Sequence, residues 1–180
     1  ERYSGIYRQD AIIKRARMDQ LGEQALDPRD LMQFSRHQYE IRNEWNARYS
    51  HHQFVPMQFD SADEISWTPV WSLRDKRHVY VPTAYLYYGY ATIDCRSIYA
   101  DSNGCAAGNT IEEAILQGFL EICERDAVAI WWYNRLARPG VDLKSFSDPY
   151  IDALVDSYAK LGRSVWALDL THDLGVPSFV

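Results

Sequence analysis

The spacing of apolar residues changes from helical to strand-like along the first half of the chain. Residues 11–49 carry apolar side chains three and four positions apart among charged ones, and the Asp27-Pro28 step divides them into two predicted helices. Residues 51–62 follow neither period and predict a loop. Residues 64–72 and 77–88 are rich in β-branched and aromatic side chains, so they predict a β-hairpin.

The second half of the chain is dominated by one long apolar helix. Helical spacing runs over residues 111–136 and stops before an Arg-Pro-Gly step. A shorter helix is predicted over residues 148–162, because an Asp-Pro pair caps its start and a glycine ends it. Residues 164–170 and 176–180 predict short strands. Helices and strands alternate irregularly, so the pattern predicts an α+β fold with a mixed or antiparallel sheet packed with helices.

The polar stripe of the long helix is acidic. At about 100° per residue, Glu113, Glu121 and Glu124 fall within roughly 80° of one another, and apolar residues occupy the opposite side. Like charges three or four residues apart repel each other, and burying them without a partner costs more. The stripe, which we call the acidic strip, therefore predicts a cationic partner. Hard divalent metal ions suit carboxylate oxygens best.

Each glutamate of the acidic strip also has a purely structural interpretation. Thr110 followed by Glu113 fits a capping box, so helix capping and metal ligation both remain open for Glu113. For Glu121 and Glu124 the alternative is a solvated helix face with Arg125 as the ion-pair partner. Their apolar neighbours make that face hard to solvate, which favours function. The planar guanidinium of Arg125 suits either a structural ion pair or a phosphate.

A run of small residues at 102–109, the glycine-rich turn, leads directly into the N-terminus of this helix. Main-chain amides at a helix N-terminus attract anions, and Gly104 and Gly108 would let a phosphate approach the backbone. The sequence contains neither a P-loop nor a Rossmann glycine pattern. A phosphate cradle and an ordinary tight turn are therefore both open interpretations.

The sequence offers no convincing nucleophile, so no catalytic side chain is predicted. Cys105 has no His or Asp pattern beside it, and the His51-His52 pair has no third metal ligand nearby. Asp169, His172 and Asp173 lie near the end of a predicted strand, where a plain polar turn is the favoured interpretation.

Composition narrows the possible partners. A formal net charge of −6 without a basic stripe argues against nucleic acid. Three cysteines without CxxC spacing indicate reduced thiols in a cytoplasmic protein. No apolar run reaches the roughly 20 residues of a membrane span, so no membrane is expected as a partner. The chain of 180 residues is long enough for one domain, and its abrupt ends predict that this domain, 1–180, is truncated at both ends.

With these residues assembled, the chain resembles the YcaO family of ATP-dependent enzymes that activate peptide backbones. The resemblance is carried by residues 102–127, SNGCAAGNTIEEAILQGFLEICERDA. The opening ERYSG at residues 1–5 resembles the end of a second family motif. The similarity continues through WWY and DLTHDLGVPSF and covers most of the chain.

The resemblance implies a YcaO-like fold, here a partial domain, and a site for ATP and Mg²⁺. The carboxylates that it assigns as metal ligands are Glu1, Glu113, Glu121 and Glu124. The residues that it assigns to the nucleotide are Asn109, Arg125, Ser102 and Gly104, with Arg125 near the phosphates. Phosphoryl transfer needs cations and an anion cradle more than a nucleophilic side chain, which agrees with the sequence.

The family reaction implied by the resemblance phosphorylates a peptide amide oxygen after a nucleophile has attacked the carbonyl. Cys, Ser or Thr side chains then give thiazolines or oxazolines in a ribosomally made peptide, such as a bacteriocin. Implied partners are the precursor peptide, a separate leader-binding protein and a second copy in a homodimer. Parts of the family's nucleotide site have no match in this sequence, so we expect the chain alone to bind ATP weakly or not at all and to be inactive.

Two other classes of function are weighed against this one. A non-catalytic adapter would keep the fold and bind a peptide or partner, with its acids serving as ion pairs. A magnesium-dependent hydrolase of an unrelated class is disfavoured, because no water-activating His or DxD pattern accompanies the carboxylates.

Overall fold

The computed structural model describes residue 7 and residues 11–49, 54–90 and 95–180. The chain forms two compact units, Glu1–Ser102 and Asn103–Val180. Glu1, His51 and His52 lie outside the described residues. The single-domain assignment made from the sequence stays a prediction.

An antiparallel sheet of three strands organises the described part of the first unit. Its strands, in the spatial order β1-β2-β3, are β1 Lys14–Ala16, β2 Ile65–Ser72 and β3 Arg77–Pro82. Trp67 stands opposite Lys14 on one side and Pro82 on the other. Its side chain is fully buried, and its indole Nε1 donates a hydrogen bond to the carbonyl oxygen of Ala16 at 2.9 Å. The predicted hairpin is present.

The second strand of the hairpin is shorter than predicted. It ends at Pro82, and a short helix, Thr83–Leu86, replaces the predicted extension to residue 88. Proline has no amide hydrogen for the strand ladder, so pairing stops there. The hydroxyl of Thr83 lies 3.0 Å from that of Thr68 in the core, which fixes the start of the helix against β2.

The prediction of two helices over residues 11–49 was wrong. This segment contains β1, a 3₁₀ turn at Gly22–Gln24 and four short helices, which we number α1 to α4: Met18–Leu21, Pro28–Met32, Arg36–Glu40 and Arg42–Arg48. Left-handed backbone at Gly22 and Gln33 ends α1 and α2. The predicted start at Asp27-Pro28 is confirmed, because the Asp27 carboxylate accepts a bond from the amide of Arg29 at 2.9 Å.

The core of the first unit lies where the sheet, the helix α5 at Thr83–Leu86 and the adjoining loops meet. Its buried members are Ala16, Leu21, Phe59, Ile65, Trp67, Ala84, Tyr90, Cys95 and Ile98. Residues 54–62 form the predicted loop, which contains no helix or strand. Asn46 fixes this loop, because its side-chain amide both donates to and accepts from the main chain of Val55 at 2.8 and 2.9 Å.

The second unit contains the two helices that the sequence predicts there. The long helix α6 spans Ile111–Asn134 and ends two residues early, because Arg135 adopts a left-handed conformation with φ of 52°. The helix α7 spans Pro149–Lys160, and Asp148 caps it by accepting the amide of Tyr150 at 2.8 Å. A 3₁₀ turn at Leu143–Phe146 lies between the two helices in sequence.

The two strands predicted in the second unit are reduced to isolated bridges. Leu168 pairs with Gly140, and Asp169 pairs with Phe179. The amide of Leu168 donates to the carbonyl oxygen of Val180 at 2.8 Å, and the amide of Val180 donates to the carbonyl oxygen of Leu168 at 3.1 Å. The pairing continues to Leu170, whose amide donates to the carbonyl oxygen of Ser178 at 2.8 Å, and the Asp169 carboxylate accepts the amide of Thr171 at 2.9 Å, where the chain turns. Antiparallel strands and helices together confirm the predicted α+β fold.

No helix in the described part of the chain is long and apolar enough to cross a membrane.

We predict that Trp67→Ala destabilises the chain far more than Trp71→Ala. Both residues lie on β2, but Trp67 is 0% exposed and Trp71 is 54% exposed. Truncating the buried ring removes packing and an indole hydrogen bond, so urea denaturation should show a loss of about 3–5 kcal/mol. The exposed ring contacts His78 only at its edge, and its loss should cost less than about 1 kcal/mol. Equal losses would contradict the assigned core.

Candidate functional site

The glycine-rich turn lies directly against α6. Its residues 103–109 belong to the second unit, as does the helix. A Cβ atom at Gly118 would stand 2.9 Å from the carbonyl oxygen of Gly104, and one at Gly108 would stand 2.5 Å from the amide nitrogen of Ala114. Real side chains do not tolerate such distances. The glycines at 108 and 118 therefore allow the close approach of turn and helix, a role that the sequence pattern does not reveal.

The N-terminus of α6 forms a modified capping box. The Thr110 hydroxyl accepts the amide of Glu113 at 3.2 Å, as predicted. The Glu113 carboxylate reaches back and accepts the amide of Asn109 at 2.7 Å, one residue before the cap. Glu113 therefore has the capping role that the sequence predicts. The bond to Asn109 uses one carboxylate oxygen of Glu113, so the other oxygen remains available as a metal ligand.

Glu121 is bonded at both oxygens. Its Oε2 accepts the main-chain amide of Gly104 at 2.5 Å, and its Oε1 accepts Nε of Arg125 at 2.8 Å. The carboxylate is largely sheltered, with 22% of the side chain exposed, whereas the Arg125 side chain is 57% exposed. The ion pair predicted as one role of Arg125 is therefore formed. The exposure of its guanidinium leaves it accessible to an anion.

The other predicted site residues are placed differently. Glu124 is exposed, and its carboxylate forms no hydrogen bond or ion pair with the other described residues. Asn109 is exposed beside Glu113. Ser102 is exposed at the end of the first unit. The structure thus brings Gly104, Glu121 and Arg125 together at one end of the turn, and Asn109 and Glu113 at the other.

The donor chemistry of the acidic strip fits Mg²⁺. Three carboxylates and one guanidinium share the strip, so negative charge is in excess, and carboxylate oxygens are the hard ligands that this ion prefers. Within the described residues, no group of three or more His, Cys, Asp or Glu side chains is close enough to form a metal centre. Protein-bound Mg²⁺ commonly uses one or two carboxylates and takes its other ligands from water and substrate phosphates. The strip therefore suits a shared site better than a closed protein cage.

A second polar cluster contacts the C-terminal half of α6, where the sequence predicts only a polar turn. His172 Nε2 lies 3.6 Å from the carboxylate of Asp126, and Nδ1 of the same ring contacts the Asp173 carboxylate. The hydrogen bond from His172 lowers the pKa of Asp173. Arg138 secures the same segment by donating to the carbonyl oxygens of Asp169 and Thr171 at 2.9 and 2.5 Å. The cluster therefore places His172 and Arg138 beside the C-terminal half of α6 and the segment 169–173.

Comparison with known proteins supplies the wider context. The family model described as YcaO cyclodehydratase, ATP- and Mg²⁺-binding, matches residues 1–180. A heterocyclase in complex with substrate and cofactor is 50% identical, with a TM-score of 0.92 over 99% of this chain and 24% of its own. The heterocyclase TruD is 49% identical, with a TM-score of 0.85 over 99% of this chain and 26% of its own. The family description confirms the predicted cofactors, ATP and Mg²⁺.

A more distant structure shares the fold. YcaO from Methanopyrus kandleri, bound with AMPPCP and Mg²⁺, is 21% identical, with a TM-score of 0.59 over 93% of this chain and 35% of its own. The chain spans only 20% and 32% of the length of the two curated relatives that it matches.

We predict that Gly108→Ala destabilises the second unit, whereas Gly140→Ala does not. A methyl group at 108 would collide with the backbone of α6, but one at 140 would meet no atom within 4 Å. Neither glycine has the left-handed φ that would strain an alanine. Forcing the turn away from the helix should cost about 1–3 kcal/mol in urea denaturation. Unchanged stability of Gly108→Ala would show that the turn does not rest on the helix.

Proposed function

We propose that this chain, which belongs to the YcaO family, is part of an ATP- and Mg²⁺-dependent enzyme that activates peptide backbone amides by phosphorylation. The product class is an azoline, a thiazoline or oxazoline, in a ribosomally synthesised peptide. The observation that carries the proposal is an acidic strip joined to an amide-rich turn, in a chain about half identical to two heterocyclases over almost its whole length.

The proposed reaction proceeds in two steps. A Cys thiol or a Ser or Thr hydroxyl of the peptide loses its proton to solvent and adds to the preceding carbonyl carbon, which opens the C=O double bond, and the resulting tetrahedral oxyanion takes a phosphoryl group from ATP, releasing ADP. Phosphate then leaves with that oxygen, while the nitrogen loses its proton and forms the C=N bond of the ring. Both steps need charge stabilisation and positioning, and the nucleophile belongs to the substrate.

The residues of this chain have defined tasks in the proposal. Glu113, Glu121 and Glu124 hold Mg²⁺, together with Glu1, which lies outside the described residues. When bound there, the ion would supply positive charge beside the transferred phosphoryl group. The exposed Arg125 guanidinium meets a nucleotide phosphate while its Nε retains the pair with Glu121. Asn109, Ser102 and Gly104 are assigned to the nucleotide.

The proposed assembly includes partners beyond the nucleotide. A precursor peptide is the substrate, and the heterocyclase solved in complex with substrate and cofactor supports that choice. A leader-binding protein, a homodimer, a role in bacteriocin biosynthesis and a cytoplasmic location remain predictions from the sequence.

A non-catalytic adapter is the second candidate, and one observation favours it. Glu113 and Glu121 already bind amides of the glycine-rich turn, and Glu121 also binds Arg125. In an adapter, the only role of these glutamates would be to hold the turn and Arg125 in place.

We predict that Glu121→Gln and Glu124→Gln in the full-length protein lower ATP turnover by at least about 100-fold, because each removes a charged oxygen ligand. The measurement is ADP release with Mg-ATP and precursor peptide, with peptide dehydration followed by mass spectrometry. Glu112→Gln is the matched control, since this exposed glutamate lies on the same helix away from the acidic strip. Turnover that survives both substitutions would favour the adapter.

A further inference from the structure

The glycine-rich turn is bonded to α6 at both of its ends by the helix's own carboxylates. The Gly104 amide donates to Glu121, which is 17 residues away in sequence, and the Asn109 amide donates to Glu113, four residues away. The second bond is local and belongs to the helix cap. The first joins the start of the turn to a residue roughly three helical turns into α6, and it fixes where the beginning of the turn lies.

The bonded amides are the kind of donor that a phosphate would use. Main-chain N–H groups before a helix N-terminus bind anions, and a glutamate carboxylate is itself an anion. Gly104 has a φ of 79°, which glycine adopts without strain, and in this conformation its amide meets Glu121. The two carboxylates thus occupy positions at these amides that would suit bound anions.

We infer that Glu121 is a positioning residue that anchors the glycine-rich turn on α6 through the Gly104 amide. This role is separate from its proposed task as a metal ligand, because the bond joins two groups of the chain itself. The anchor needs an oxygen acceptor at position 121, whereas metal binding needs its negative charge. The two roles therefore respond differently to Gln and to Ala at the same position.

Amide hydrogen exchange by NMR on the metal-free 180-residue chain, in the presence of a chelator, tests this inference. Glu121→Ala should speed exchange of the Gly104 amide roughly 10- to 100-fold, the effect of losing a hydrogen bond to a charged group. Glu121→Gln should retain most of the protection, because its amide oxygen still accepts a hydrogen bond. Glu124→Ala, the matched control, removes an exposed carboxylate of the same helix and should leave the amide unchanged.

Two results would overturn the inference. One is equal exchange at Gly104 in the Glu121→Ala and Glu124→Ala variants. The other is a matching loss of protection in α7, which would show that Glu121 supports the whole unit instead of the turn. The full-length protein separates this inference from the proposed function: Glu121→Gln should keep the turn anchored while losing ATP turnover. Turnover preserved in all variants would reject the proposed function and leave the anchor standing.

Discussion

The close approach of the glycine-rich turn to α6 is the contact on which the rest of the candidate site depends. The carbonyl oxygen of Gly104 occupies space that a side chain at position 118 would need, and the helix leaves no room for one at 108. With glycine at both positions, the main chain of the turn comes within direct hydrogen-bonding reach of helix side chains. Glu121 and Glu113 consequently bind backbone amides without a bridging water. A wider gap would separate the predicted nucleotide contacts from the predicted metal ligands.

The same contact changes the electrostatic argument for a metal. Three acids on one narrow strip repel one another, which calls for compensation. The structure compensates the charge of each glutamate differently. Glu121 is paired with Arg125 and with a main-chain amide. Glu113 accepts a main-chain amide and lies at the positive end of the helix dipole, and Glu124 is exposed to solvent. Charge repulsion alone therefore does not require a metal. The case for Mg²⁺ rests on the description of the family and on the hard oxygen donors that the strip presents.

Sequence patterns predicted the elements that depend on neighbouring residues and missed those that depend on contacts between distant segments. The helices α6 and α7 and the β2–β3 hairpin follow from periodicity and caps that lie within each element. Residues 11–49 were misjudged because β1 forms by pairing with β2, about 50 residues later, and this pairing overrides a helical spacing. The helix α2 ends because Gln33 adopts a left-handed conformation, which the identity of a non-glycine residue does not predict.

In the candidate site, too, local features could be predicted from the sequence and long-range contacts could not. The acidic strip follows from helix geometry, but the bond between Glu121 and Gly104 depends on the direction of one amide in a turn, which no residue spacing encodes. The contact between His172 and Asp126 likewise joins segments 46 residues apart.

The anchored turn also bears on how the proposed enzyme would take up its nucleotide. Carboxylates and phosphates compete for the same amides, while Mg²⁺ attracts the carboxylates. Nucleotide binding would then replace each hydrogen bond with a new interaction. The amides of the turn would bond to phosphate in place of carboxylate, and the carboxylates would bind Mg²⁺ in place of the amides. Leaving a buried polar group unpaired would cost about 1–3 kcal/mol, and this exchange avoids such a cost at the partly buried bond between Gly104 and Glu121. Among the described residues, no buried side-chain nitrogen or oxygen lacks a hydrogen-bond partner. A turn held by its own helix in this way stays in place before ligands arrive, so less conformational entropy is lost when they bind.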